Sequence, residues 1–184
     1  MSLLGRVSAE LARLGVPHAL IGAAALAIHG VSRSTHDLDL LATNPACLDP
    51  RKWSALSEDG IAVEVRKGDF DDPLAGVIRF TAPEERPVDL VVGKARWQTS
   101  ALARAERHGL IDVELPVLRA SDLILLKLFA GGPQDAWDVA QLLATPDGAR
   151  LRGEVEEYLS ELPAASAALW RQTRGEDLSA PRTE

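Results

Sequence analysis

HALIGAAALAIHGVSRSTHDLDLLA, residues His18 to Ala42, places an apolar segment, an alanine-rich segment and an acid-bearing segment in succession. HALI has the composition of a short strand. Gly22 then opens AAALAIHG, whose alanines carry high helix propensity, and Gly30 stands where a C-terminal cap belongs. After the polar turn VSRSTH, the alternation in DLDLLA sends Asp37 and Asp39 to one face of a strand and Leu38 and Leu40 to the other. A strand with one wet face shows the same alternation, so the two acids alone do not define a site.

Working outward, Ser8 to Leu14 reads as a helix stopped by Gly15 and Pro17. Downstream, NPACLDPRKW is turn-rich and leads into a short helix. IAVEVRK and GVIRFTA read as strands joined by the polar loop GDFDDPLA, and EERP leads into PVDLVVG, an apolar strand with the single acid Asp89 in its middle. RWQTSALARAERHG reads as helical and IDVELPVL as extended. Ser121 and Asp122 start the helix LILLKLFAGG, and Pro133 suits the first turn of PQDAWDVAQLLA, because its missing N–H costs nothing there. Asp135 and Asp138 lie one turn apart on that helix. A last helix, GARLRGEVEEYLSEL, precedes the polar, loose tail RQTRGEDLSAPRTE. The expected fold class is α+β: a mixed β-sheet flanked by helices, with a helical C-terminal third. The expected organisation is an α/β core over residues 1–118, C-terminal helices over 119–170 packed on the same unit, and a tail over 171–184.

A chain of 184 residues is sized for one hydrophobic core. It has no apolar run near the roughly 20 residues a membrane-spanning helix needs. The amphipathic N-terminus, with Arg6, Glu10 and Arg13 among its apolar positions, lacks the unbroken core of a signal peptide, so a cytoplasmic protein is expected. The net charge of -7 argues against a broad basic surface that grips nucleic acid. The lone Cys47 has no thiol partner for a disulfide or a zinc site. Trp53, Trp97, Trp137 and Trp170 are too scattered to form a base-stacking series and read as core or rim packing.

Asp89 changes the reading of the first two acids. Three carboxylates converging on neighbouring strands repel one another unless cations sit between them. Hard oxygen donors without cysteine select Mg2+ or Mn2+ over zinc.

The pattern IGAAALAIHGVSRSTHDLDLLA, with Asp89 as a third acid on a later strand, resembles the signature of the nucleotidyltransferase superfold, the polymerase-β-like group. More narrowly, GAAALAIHGVSRSTHDLDLL followed by PVLRASDLILLKLFAGGPQDAWDVAQLL is similar to the small bacterial AbiEii-like branch, which includes toxin components of toxin–antitoxin pairs. The match runs over roughly residues 15 to 145, with both blocks in the expected order. Two positions depart from the pattern. Ala23 stands where Gly or Ser is usual, so only backbone N–H groups remain there for a phosphate, and Gln134 replaces a basic residue before Asp135.

The resemblance implies transfer of a nucleoside monophosphate from an NTP to a hydroxyl acceptor, which is RNA such as tRNA, a protein or a small molecule. It implies two Mg2+ or Mn2+ ions on Asp37, Asp39 and Asp89. Gly22 and Ala23 would cradle phosphates, with Arg33 adding charge and Ser34 or Thr35 a hydroxyl. Lys127 would meet the triphosphate, and Asp135 and Asp138 would orient it or contact the acceptor. It also implies a cognate antitoxin or toxin as a partner. Local alternatives stand beside these roles: Lys127 can snorkel to solvent, Asp138 can pair locally, Arg33 can serve the turn, and His29 and His36 can be structural. The competing function is a catalytically weakened module that keeps the fold and binds nucleotide or a partner protein. Ala23 and Gln134 favour it.

Overall fold

Residues 1–174 are described by the computed structural model. The chain begins with α1 (Leu3–Arg13), β1 (His18–Ile21), α2 (Gly22–Ile28) and β2 (Leu38–Ala42). Two 3-10 turns, Pro45–Leu48 and Pro50–Trp53, lead into α3 (Ser54–Glu58). β3 (Ala62–Lys67), β4 (Leu74–Thr81) and β5 (Val88–Gly93) follow, then α4 (Arg96–Ala103), β6 (Glu106–Leu110) and β7 (Val113–Val117). The remainder is helical: α5 (Ala120–Ala130), α6 (Pro133–Ala144), α7 (Gly148–Tyr158), a 3-10 turn at Leu159–Glu161 and α8 (Ala164–Thr173). The fold is α+β, with a mixed seven-stranded sheet ordered β3-β4-β5-β2-β1-β7-β6. β2 pairs with β5, and β1 with β7, in parallel; the other neighbours are antiparallel. Two compact units divide the chain: Met1–Ala27 with Ser32–Arg119, and Ile28–Val31 with the helices from Ala120 onward.

In the sheet unit, the alternation expected of strands is realised. Ile78 and Phe80 on β4, Val88, Leu90 and Val92 on β5, and Leu38 and Leu40 on β2 are buried, while Arg79, Asp89 and Asp39 between them are half-buried. Helix α1, capped by the Ser2 hydroxyl accepting from the Gly5 N–H at 3.2 Å, packs against β4 and β5 and buries Leu3, Leu4, Val7 and Leu11. Trp53 is fully buried, meets Phe80 edge-on at 5.0 Å and donates its indole N–H to the Cys47 carbonyl at 2.8 Å. Burial pushes the Cys47 thiol up, which keeps it protonated and unreactive.

Two expected elements differ. RWQTSALARAERHG is not a single helix: α4 ends at Ala103, and Glu106–Leu110 is a strand paired with β7. The charged run offers no apolar stripe to prolong α4, and β7 supplies an open row of backbone partners, so sheet pairing overrides local propensity. GARLRGEVEEYLSEL is not the last helix either: α7 ends at Tyr158, a 3-10 turn follows, and α8 comes after Pro163, whose missing N–H suits a helix start. Of the polar tail, 171–173 belong to α8, and the part from 175 onward lies outside the described residues.

Buried His18 bonds twice. Its Nδ1 donates to the Val16 carbonyl at 3.0 Å, which leaves Nε2 to accept from the Ser8 hydroxyl at 2.8 Å. Burial lowers its pKa from the ordinary 6.5. A histidine whose folded pKa lies below its unfolded one contributes stability in full above the unfolded value and loses it as pH falls toward the folded value. The melting temperature should therefore fall on acidification from neutrality to pH 5, and fall less in His18→Gln; equal slopes in a thermal scan series would exclude this histidine as the source.

The second unit is built on α5, which buries Leu123, Ile124, Leu125 and Leu128 and packs against α6, α7 and α8. Val139 and Leu142 from α6, Val155 from α7 and Trp170 from α8 complete its core.

Candidate active site

Strand register assembles the acids. Asp39 on β2 lies directly beside Asp89 on β5, Asp89 is opposite Arg79 on β4, Arg79 is opposite Glu64 on β3, and Asp39 is opposite Ile21 on β1. Residues directly opposite in register share a face, so these five side chains form one row across five strands. Asp37, in the bend just before β2, joins the row through Arg79. The Arg79 guanidinium donates from Nε to Asp89 Oδ1 at 2.8 Å and from Nη2 to Asp89 Oδ2 at 2.8 Å and Asp37 Oδ2 at 2.5 Å. The hydrogen bonds from Asp89, then the charges of Asp89 and Asp37, hold its pKa well above the ordinary arginine value. Arg79 is a fixed cation between two acids.

Asp39 is placed by a glycine. Gly22 sits at the β1–α2 junction with φ +66°, and a Cβ there would lie 2.1 Å from Asp39 Oδ2. Only glycine both adopts this left-handed backbone without strain and leaves the carboxylate its place. Ala23, the next residue, turns its methyl into the core.

The segment before Asp37 is braced from two sides. Thr35 Oγ1 donates to the Asp37 carbonyl at 3.0 Å, and Arg86 Nη2 donates to the Thr35 carbonyl at 2.8 Å. The neighbouring Glu85 is anchored by Arg6 of α1. The Thr35 hydroxyl thus fixes the backbone that presents Asp37; Ser34 is exposed, and Arg33 is half-buried in the same segment.

Lys127, Asp135 and Asp138 come together within the helical unit. The Lys127 ammonium lies 2.8 Å from Asp135 Oδ1 and 2.9 Å from Asp138 Oδ2, Asp135 Oδ2 accepts the Gly132 N–H at 3.1 Å as an N-terminal cap of α6, and Gln134 Nε2 reaches Asp138 Oδ1 at 3.4 Å. Burial alone would push the lysine pKa down, but its bonds to the two acids outweigh this and raise it.

Sequence reasoning missed Arg79 and Arg86. The available cue for Arg79 was a single cation in the apolar strand GVIRFTA, followed after the short connection EERP by a single acid in PVDLVVG.

The carboxylates suit a hard divalent cation. Among the described residues no three His, Cys, Asp or Glu side chains are arranged to enclose an ion. Mg2+, however, commonly takes one or two carboxylates and completes its shell with water and substrate phosphate. Arg79 engages both oxygens of Asp89 and one oxygen, Oδ2, of Asp37.

No protein-family model matches the chain, and no curated protein matches it. Among solved structures, it is similar to an antigenic nucleotidyltransferase-like protein from Paracoccidioides brasiliensis, with 16% identity, TM-score 0.48, and 89% of this chain and 88% of that one covered. It is also similar to the lincomycin-bound lincosamide antibiotic adenylyltransferase LnuA, with 11% identity, TM-score 0.46, and 76% of this chain and 93% of that one covered. A third is ANT(2")-Ia in complex with adenylyl-2"-tobramycin, with 14% identity, TM-score 0.44, and coverage of 92% and 93%. Among the described residues, no helix is long and apolar enough to cross a membrane.

Proposed function

We propose that this chain is a nucleotidyltransferase that moves a nucleoside monophosphate from an NTP to a hydroxyl acceptor. The observation that supports it best is the row Asp89–Asp39 with Asp37 beside it, set against the glycine junction at Gly22. The sequence pattern Gly22, then Asp37 and Asp39, then Asp89 supports the same reading.

Asp37 and Asp39 would hold Mg2+ or Mn2+. Bound there, the ion supplies positive charge against the triphosphate. Arg33 adds a cation from the adjoining segment, and Ser34 a hydroxyl. In the transfer, the acceptor oxygen bonds to the α-phosphorus, the bond from that phosphorus to the β-phosphate bridge breaks, and pyrophosphate leaves. Asp89, held in direction by Arg79, would accept the hydrogen bond of the attacking hydroxyl through a lone pair that the guanidinium leaves open, and the proton passes to solvent water.

The acceptor is proposed to be a small molecule, a protein or an RNA such as tRNA, with a toxin–antitoxin role in which the cognate partner is the protein acceptor or the inhibitor. The net charge of -7 places a large RNA last. A second reading, a module that binds nucleotide or a partner without turnover, is favoured by Arg79's occupation of both Asp89 oxygens, by Ala23 and by Gln134.

The test is label transfer from each α-labelled NTP with Mg2+, in separate mixtures with total tRNA, lincosamide and aminoglycoside antibiotics, and the product of the adjacent reading frame. Asp39→Ala is expected to lower transfer by about 100-fold or more at unchanged folding, because it displaces the reacting phosphate from its geometry. A wild type as silent as Asp39→Ala in every mixture would favour the binding module instead.

A further inference from the structure

We propose that Arg79 takes the place of a second divalent cation, so that the acidic row accepts one ion, on Asp37 and Asp39, and carries its other positive charge as a side chain.

This deepens the nucleotidyltransferase reading and rests on it. Two features carry the inference. First, the fork on Asp89 is produced by strand register: Arg79 and Asp89 are direct partners in the antiparallel β4–β5 pair, so the guanidinium is delivered by the sheet itself. Second, the bonding is complete at Asp89 and reaches onward. Nε takes one carboxylate oxygen, Nη2 takes the other, and the same Nη2 bridges to Asp37.

An ion that sought Asp89 would have to break two charge-assisted hydrogen bonds in fork geometry and then sit beside a guanidinium that does not deprotonate. Both effects oppose entry. A metal brings two positive charges and dissociates; Arg79 brings one and stays. The row remains open to a ligand, because the Arg79 and Asp37 side chains are 39% and 35% exposed and Asp89 is 17% exposed. Arg79 is thus a positioning residue for Asp89 and sets how many cations the row admits.

The experiment is a Mn2+ titration of the full chain, following free Mn2+ by electron paramagnetic resonance, for wild type, Arg79→Gln and Arg79→Gln/Asp89→Asn. Circular dichroism confirms that each is folded. Arg79→Gln is expected to bind one more Mn2+ per chain than wild type, and the added Asp89→Asn to remove that extra ion. Equal stoichiometry in wild type and Arg79→Gln overturns the proposal, as does an extra ion that survives Asp89→Asn. Label transfer by the wild type is measured separately: transfer with equal stoichiometry defeats the role of Arg79 alone, and silence with the extra ion present defeats the proposed activity alone.

Discussion

Lys127→Met is expected to destabilise the helical unit by about 3–5 kcal/mol, the cost of leaving a buried charge without its partner. Asp138 has no exposed side-chain surface, and Lys127 answers its charge at 2.9 Å while also bonding Asp135. Methionine fills the volume of the lysine stem but leaves two acids on adjacent turns of α6 facing each other. The raised lysine pKa has a matching consequence: its stabilisation is present in full below the unfolded-state value of 10.5 and is lost as pH rises through the higher folded value. A double variant, Lys127→Met/Asp138→Leu, separates the charge effect from packing. It should recover most of the loss, because an apolar pair of similar volume replaces a buried ion pair at little net cost. Urea unfolding of the three proteins checks this, and a single variant within about 1 kcal/mol of wild type would contradict it.

Gly22→Ala should act on catalysis far more than on folding. The new methyl would sit 2.1 Å from Asp39 Oδ2, on a backbone with φ +66°, so the carboxylate has to move or the β1–α2 junction has to turn. The left-handed conformation costs an alanine about 1–2 kcal/mol. A displacement of about 1 Å at the reacting geometry costs on the order of 100-fold in rate, which is the larger effect. The expected result is a folded protein whose label transfer falls with that of Asp39→Ala. Activity within a few-fold of wild type would show that Asp39 does not need its place beside residue 22.

These two positions also show what the sequence made legible. Gly22 stood out because a glycine between an apolar strand and an alanine-rich helix marks a change of direction, and Asp89 because one acid inside PVDLVVG is expensive without a purpose. The order strand, helix, acidic strand followed from local periodicity, which is where sequence carries most information. Arg79 was not legible. A lone arginine at an alternating position of GVIRFTA has the pattern of an ordinary solvent-facing residue, and its importance depends on register with Asp89 and on reach to Asp37, 42 positions away. Lys127 was read as a phosphate contact oriented by Asp135 and Asp138, or as a snorkelling side chain, and the structure brings the three together. What spacing along one helix does not encode is how the Gly131–Gly132 turn folds α6 against α5 to bury them. β6 was hidden for the related reason that only the presence of β7 makes a strand of ERHGL.

The order of the sheet leaves β3 and β6 as its two outer strands, and these are its most charged ones. β3 carries Glu64, Arg66 and Lys67, and β6 carries Glu106, Arg107 and His108, whereas β2 and β5 are nearly continuous apolar runs. Each rim therefore presents ionised groups beside its open backbone donors and acceptors, which discourages a foreign strand from adding on. The segments best suited to cross-β stacking lie in the interior of the sheet, so the aggregation hazard they bear is confined to the time before the rims are in place.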